Sequence, residues 1–463
     1  VARLVLLLSV CLLFSSLAAQ QDTTTVVVKD IVIEGNKRTK PWFIERESGI
    51  ARGDVILRDE LDASMQQVQN NVNNLGLFNI VSVTPVVLPD NGVLVLIELT
   101  ERWYFYPSPI LKFAEPNFNV WWKNKDFSRT NYGIELDLDN FRGRGEELEV
   151  KVQLGFSRKL ALEYTIPYIS KENKWGLGLL ASYSENEEFN IGTFNNQRLF
   201  FSEGDGDARN EQSYEAKMTN RPNVFTTHSF GLQYKKVAIA DSLLSFRQDH
   251  LVTGTNKMNY FLFEYSYSYR DVDRASYPLK GRRFDTFLRK SGLGLTGTRP
   301  DVWTIRATAR NYMKLKGRFY LHSMLSLNTT EGKQIPYYIQ QGLGYGNNSV
   351  RGYEFYVMDG QRYALMRNNL KFEILPWRAR TLKFIKSTKF NSFQYALYFN
   401  LIGDLGYVQD ELYAKENPRN NELLGGVGAG LDLLLSYDVS MRVEFMRNRL
   451  GEDGIYFHFR RSF

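Results

Sequence analysis

The chain has 463 residues, with 58 Lys plus Arg against 51 Asp plus Glu and a formal balance of +7. Its mean hydropathy of −0.35 is too polar for a protein with several membrane helices, but not for a membrane β-barrel, whose alternating strands average out as hydrophilic. A hydrophobic fraction of 43%, with 14% aromatics, argues against a disordered chain.

The N-terminus reads as a secretory signal over residues 1–19. Arg3 precedes an apolar run from Leu4 to Leu17, and small residues Ala18 and Ala19 follow. The run falls short of the roughly 20 residues a spanning helix needs, which disfavours a membrane anchor. The single cysteine, Cys11, lies within it, so the processed chain is expected to hold no thiol or disulfide. A lipoprotein cysteine is disfavoured because the apolar run continues past Cys11.

Residues 22–103 read as a small α/β unit. Val26–Ile33 alternates and is β-branched, and Gly35-Asn36 signals a turn. Thr39–Ser48 fits a short helix, with Pro41 tolerated in the first turn. Leu61, Met65, Val68, Val72 and Leu75 form one helical stripe, and Gly76 is placed to end it. Phe78–Leu88 and Gly92–Thr100 flank a Pro89-Asp90-Asn91-Gly92 turn. Pro107 and Pro109 mark the boundary, since proline interrupts a strand ladder.

From 107 to 463 the pattern is period 2 throughout. Examples are Tyr132–Leu138, Leu148–Leu154, Leu160–Ile166, Tyr260–Tyr269, Val302–Tyr312, Phe319–Leu327, Tyr363–Leu375, Phe393–Leu405 and Val439–Phe445. At roughly 20–23 residues per strand and connection, this length gives about sixteen membrane strands. A soluble sandwich also alternates. Three features favour a membrane barrel: the secretory signal, aromatic clusters at Trp121-Trp122, Tyr337-Tyr338 and Tyr353–Tyr356 that suit membrane interfaces, and a final strand ending in Phe457, Phe459 and Phe463. Arg461 interrupts that last apolar face.

The small unit resembles a POTRA (polypeptide-transport-associated) domain, through Ile33–Thr39 and Leu75–Val81. Only one copy is visible. Val350-Arg351-Gly352-Tyr353, followed by a strand like Tyr363–Pro376, is similar to the signature of the POTRA-plus-barrel superfamily of outer-membrane assembly factors and polypeptide transporters, the bacterial surface antigen family. Phe399–Gly406, Asp139–Glu146 with Leu162–Tyr168, and the terminal Phe463 resemble further parts of it. The resemblance implies a POTRA domain followed by an antiparallel transmembrane barrel, with the Arg351 loop folded into the lumen.

The resemblance further implies that Arg351, beside Gly352 and Tyr353, pairs with the strand residue Asp404. The pattern of Phe393–Leu405 independently turns Asp404 inward, and an Arg–carboxylate pair is directional. Glu373 is a second candidate acceptor. The alternative is a solvated loop charge. An exposed POTRA edge offers backbone groups to an extended client, through Phe78–Val87 (Phe78, Ile80, Val81, Val83) or through Val26–Ile33. The alternative there is a spacer or a dock for partner subunits. Phe457, Phe459 and Phe463 resemble an assembly signal for the barrel itself. A first strand after Pro107 and Pro109, broken again by Pro116, is expected to pair poorly with the last, and the resemblance implies that this seam opens laterally.

No cofactor, metal or enzymatic activity is expected. The four histidines, His228, His250, His322 and His458, are scattered, and His322-Ser323 are neighbours that point to opposite strand faces. The leading expectation is a factor that inserts β-barrel proteins into the outer membrane through the seam, its POTRA domain in the periplasm. A two-partner-type transporter is the alternative, and a passive porin stands behind both. Expected partners are unfolded barrel clients, periplasmic chaperones or accessory lipoproteins, and outer-membrane lipid, with no nucleic acid.

Overall fold

In the computed structural model, alternation becomes strand and the apolar stripes become helix. The structure describes residues 25–113, 125, 127, 130–204, 206–297, 299–346, 348–381, 392–436 and 438–461. The expected signal with Cys11, and Pro116, Trp121, Trp122 and Phe463, lie outside them.

The first unit contains β1 (Thr25–Glu34), α1 (Pro41–Ser48), β2 (Val55–Leu57), α2 (Leu61–Asn73), β3 (Phe78–Val87) and β4 (Gly92–Glu101). Its sheet runs β2-β1-β4-β3, with β1 and β4 parallel. The α2 stripe of Leu61, Met65, Val68 and Val72 is buried against Val26, Val93, Val95 and Ile97. The short strand β2 was not legible as one. Gly35 has a positive φ of 87°, and a Cβ there would meet the Leu99 carbonyl at 1.9 Å, so the turn after β1 requires glycine.

Sixteen strands then form one antiparallel sheet. They are β5 (Phe105–Phe113), β6 (Thr130–Leu138), β7 (Glu147–Gly155), β8 (Ser157–Ile166) and β9 (Trp175–Asn186), then β12 (Arg209–Asn220), β13 (Thr226–Ile239), β14 (Lys257–Val272), β15 (Gly281–Ser291), β16 (Val302–Lys314) and β17 (Phe319–Gly332). The series closes with β18 (Arg362–Thr381), β19 (Ser392–Gln409), β20 (Leu423–Leu435), β21 (Val439–Asn448) and β22 (Asp453–Arg461). A hairpin, β10 (Glu188–Phe194) and β11 (Gln197–Ser202), inserts between β9 and β12 as a separate sheet.

The alternation sorts the faces. Leu160, Leu162, Leu179, Leu232, Ile305, Leu325, Leu401, Leu431 and Val443 are exposed on the outer face, the pattern of a membrane barrel. Asn328, Asn369, Lys371, Asn400, Asp404, Asp432 and Glu444 are buried on the inside.

Two expectations need correction. Pro107 and Pro109 do not precede the barrel: they lie within β5, which starts at Phe105 and pairs with β6 along its length. As an edge strand of the sheet, β5 tolerates residues with no N–H to donate. Tyr337, Tyr338, Tyr353 and Tyr356 do not ring the membrane. They belong to the long connection 333–361, where Tyr337 and Tyr353 are buried and Tyr337 donates to Asp359. A tyrosine packs a polar interior as well as an interface, because its hydroxyl finds an acceptor.

Candidate functional site: a buried Arg–Asp pair, two unjoined sheet ends and a seated α/β unit

The connection 333–361 folds back as a hairpin, with isolated bridges Leu343–Met358 and Tyr345–Asn348. Val350, Tyr353, Leu343 and Met358 pack against Leu365, Val408 and Leu424 of the inner wall. Space for this approach comes from glycines. A Cβ on Gly406 would meet Val350 Cγ2 at 2.4 Å, and one on Gly426 would meet the Arg351 carbonyl at 1.9 Å. Gly352, at φ 93°, turns the tip, and Asn448 Nδ2 donates to its carbonyl at 2.9 Å.

At that tip Arg351 Nε and Nη2 donate to the two oxygens of Asp404 at 2.8 and 2.5 Å, and the Arg351 backbone N–H donates to Oδ2 at 3.1 Å. Arg351 Nη1 donates to Asn369 Oδ1 at 2.7 Å. Arg351 is 5% exposed and Asp404 2%, so this is a desolvated, bidentate pair. Arg367 lies 3.6 Å from Asp404 and donates from Nε to the Ser349 carbonyl at 3.0 Å.

Glu373 is not a second acceptor for Arg351: it accepts from the Tyr398 hydroxyl at 3.2 Å. The acidic neighbour of Arg351 besides Asp404 is Glu444, at 4.0 Å. Glu373 stands four positions from Asn369 on β18, more than one strand pleat pair, which takes its carboxylate out of reach. Below, Arg442 grips Asp432 at 2.5 and 2.8 Å, and Lys371 and the Tyr277 hydroxyl complete that cluster.

The two ends of the sheet are the second feature. β5 pairs with β6 and β22 with β21, each over nine residues. Among the described residues no ladder joins β5 to β22. Phe457 and Phe459 project outward from β22, at 53% and 70% exposure.

In the POTRA-like unit, β3 is the outer strand of the sheet, whereas β1 lies between β2 and β4. Phe78 and Val81 are core residues, Val83 is half-buried against the core and Ile80 is exposed. The start of the edge is occupied: Gln69 donates to the Val81 carbonyl and Gln394 of the barrel to the Asn79 carbonyl. Pro85 offers no N–H, so the open stretch lies at Ser82–Val87 with one donor missing.

The unit also seats on the turns at one mouth of the barrel. Arg221 donates to both oxygens of Glu47 at 2.7 and 2.9 Å, and the Tyr168 hydroxyl donates to the same carboxylate. Arg46 caps the Asn173 and Arg221 carbonyls. Phe43 fits over Gly145, Asn74 pairs with Val272 and Ala275, and Arg102 with Asp438. Glu101 accepts from the backbone N–H groups of Arg38 and Thr39, and Asn140 of the β6–β7 turn donates to Thr39 Oγ1.

A model of the Omp85 superfamily domain matches residues 140–445. The chain belongs to the Omp85 superfamily. The POTRA model, described as a surface antigen variable number repeat, matches residues 26–102. In fold this Omp85 chain is similar to BamA from Haemophilus ducreyi lacking POTRA domains 1–3, with TM-score 0.53, 15% identity, and coverage of 94% of this chain and 84% of that one. It is also similar to CdiB from Escherichia coli, with TM-score 0.52, 12% identity, and coverage of 96% and 91%. No curated protein matches the sequence.

Sequence reasoning missed three parts of this Omp85 structure. The inward glycines Gly426, Gly428 and Gly430 alternate along β20, a pattern that signals close backbone approach. The Glu47–Arg221 joint left no local signal. The β10–β11 hairpin bonds to the loop through Thr193 and Asp359, and its turn residue Asn196 to Asn420.

Proposed function

We propose that this chain inserts β-barrel proteins into the outer membrane, templating client strands at the seam between β5 and β22. The observation that carries the reading is the contrast, among the described residues, between fifteen laddered strand pairs and the two sheet ends, β5 and β22, which no ladder joins. Free strand edges recruit further strands through backbone groups, whatever the side chains, which suits a receptor for many clients. The open stretch of β3 is a first contact for extended clients in the periplasm. The Arg351–Asp404 pair holds the loop in the lumen beside the seam. On this reading the chain does no covalent chemistry. Its partners are unfolded barrel proteins, their chaperones or accessory lipoproteins, and lipid.

A second reading, secretion of a polypeptide through the lumen, is favoured by one observation. A polar cavity of about 590 Å³ lies inside the barrel, with Arg209, Glu211, Lys235 and Arg289 on its walls. Depletion followed by quantitative outer-membrane proteomics separates the two. Insertion gives a joint fall of many unrelated barrel proteins, shared by Arg351→Ala and Asp404→Ala strains. Secretion gives a single protein held in the periplasm. A change confined to small-solute uptake contradicts both.

A further inference from the structure

Close to the loop tip, three side chains from three separate elements converge. Glu354 follows the Arg351-Gly352-Tyr353 turn, Glu444 stands on β21 and His458 on β22. One ligand atom from each lies within 4.8 Å of the others. We propose that Glu354, Glu444 and His458 bind a divalent first-row cation, Zn²⁺ being the ion that fits the donor set.

The argument begins at Glu444. Its side chain is fully buried, Oε1 meets His458 Nε2 at 2.9 Å, and Oε2 has no hydrogen-bond donor. The nearest cations to Oε2 are Arg442 at 3.7 Å and Arg351 at 4.0 Å, both past hydrogen-bond range. Each is committed elsewhere, Arg442 to Asp432 and Arg351 to Asp404. A buried carboxylate oxygen without a donor calls for a ligand.

Glu354 brings a second carboxylate, oriented by the Gly352 N–H on its Oε2 at 2.9 Å. Two carboxylates at this distance repel, and a cation between them removes the repulsion. Zinc binds carboxylate oxygen and imidazole nitrogen at about 2.0–2.2 Å, so donors within 4.8 Å of one another come into range of one ion by side-chain rotation. The imidazole selects against Mg²⁺ and Ca²⁺, which take oxygen ligands. His458, with a side chain 44% exposed, gives the ion its way in, and water fills the fourth position.

The consequence is mechanical. An ion here ties the loop tip to the last strand, at the unladdered edge. This holds whether the seam serves insertion or secretion.

The test is calorimetric titration of ZnCl₂ into the tag-free full chain in detergent micelles, folding being checked by heat-shifted mobility on gels. One Zn²⁺ per chain is expected, with no heat from MgCl₂. Replacing an outer partner of a metal ligand costs about 10–100-fold in affinity, so removing a ligand outright in His458→Ala should weaken binding by at least about tenfold. Glu354→Gln should do the same. No Zn²⁺ heat from the unmodified chain, or heat unchanged in folded His458→Ala, overturns the proposal.

Discussion

Arg351 closes on Asp404 with three donors, two from the guanidinium and one from its own backbone N–H, across 53 positions of sequence. The backbone donor fixes the loop's path as well as the side chain's, so the pair sets where the whole tip sits. Breaking a buried pair by removing one partner strands the other, at a cost of about 3–5 kcal/mol. Arg351→Ala and Asp404→Ala should each lower the urea midpoint accordingly, whereas the double variant Arg351→Met with Asp404→Leu should recover part of the loss. Arg351→Lys should rescue incompletely, since one ammonium cannot reproduce the fork. Equal stability of the unmodified chain and all four variants would contradict the pair's role.

Gly426 separates crowding from charge. A methyl there meets the Arg351 carbonyl at 1.9 Å, whereas one on Gly425, on the outer face, meets Leu405 Cδ2 at 3.7 Å. Gly426→Ala should destabilise by about 1–3 kcal/mol and expose the loop to protease. Gly425→Ala should be tolerated. Matched unfolding curves and limited proteolysis of the two variants read the difference.

Arg221 holds the POTRA domain to the barrel mouth through Glu47 and Tyr168. Arg221→Ala leaves the Glu47 carboxylate buried with the Tyr168 hydroxyl alone, and the domain should leave the mouth. Pulsed electron-electron distance measurements, from a spin label on exposed Asp59 to one on a turn beside Arg221, should show a broader distribution in the variant. An unchanged narrow distribution would mean that the other contacts suffice.

Glu146, in the β6–β7 turn, carries a pH dependence. Burial pushes its carboxyl up, but the Tyr164 hydroxyl and the Arg142 and Arg144 guanidiniums outweigh that and hold it below the usual value of 4.5. A carboxyl depressed on folding stabilises the fold above its unfolded value, and that stability is lost as pH falls through the lower folded value. The stability gap between the unmodified chain and Glu146→Gln should therefore be full at neutral pH and shrink below pH 4.5. Unfolding titrations across that range measure it.

Strand periodicity carried most of the fold, because a barrel wall has lipid on one side and a polar lumen on the other, and each strand records both. Leu397, Phe399 and Leu401 alternating with Tyr398, Asn400 and Ile402 turned Asp404 inward from pattern alone. What pattern cannot record is which inward residues meet across the lumen. Glu373 and Asp404 are both inward acids, yet the loop reaches only one. Tyr337 and Tyr353 read as interface aromatics because a buried polar plug and a membrane interface select the same amphipathic ring. The β5 prolines read as a break, though an unladdered edge accommodates them. Glu47 and Arg221 lie 174 positions apart, and nothing in either neighbourhood signals the other.

If client strands are templated between β5 and β22, locking those two strands together should stop the work. Cysteine pairs placed across β5 and β22 are oxidised or reduced in the full chain reconstituted in liposomes, and folding of a urea-denatured barrel client is followed by heat-shifted mobility. The reduced protein should speed client folding, and the oxidised protein should not. Acceleration by the oxidised form equal to that of the reduced form would contradict a role for the seam, and no acceleration by the unmodified chain would contradict insertion itself.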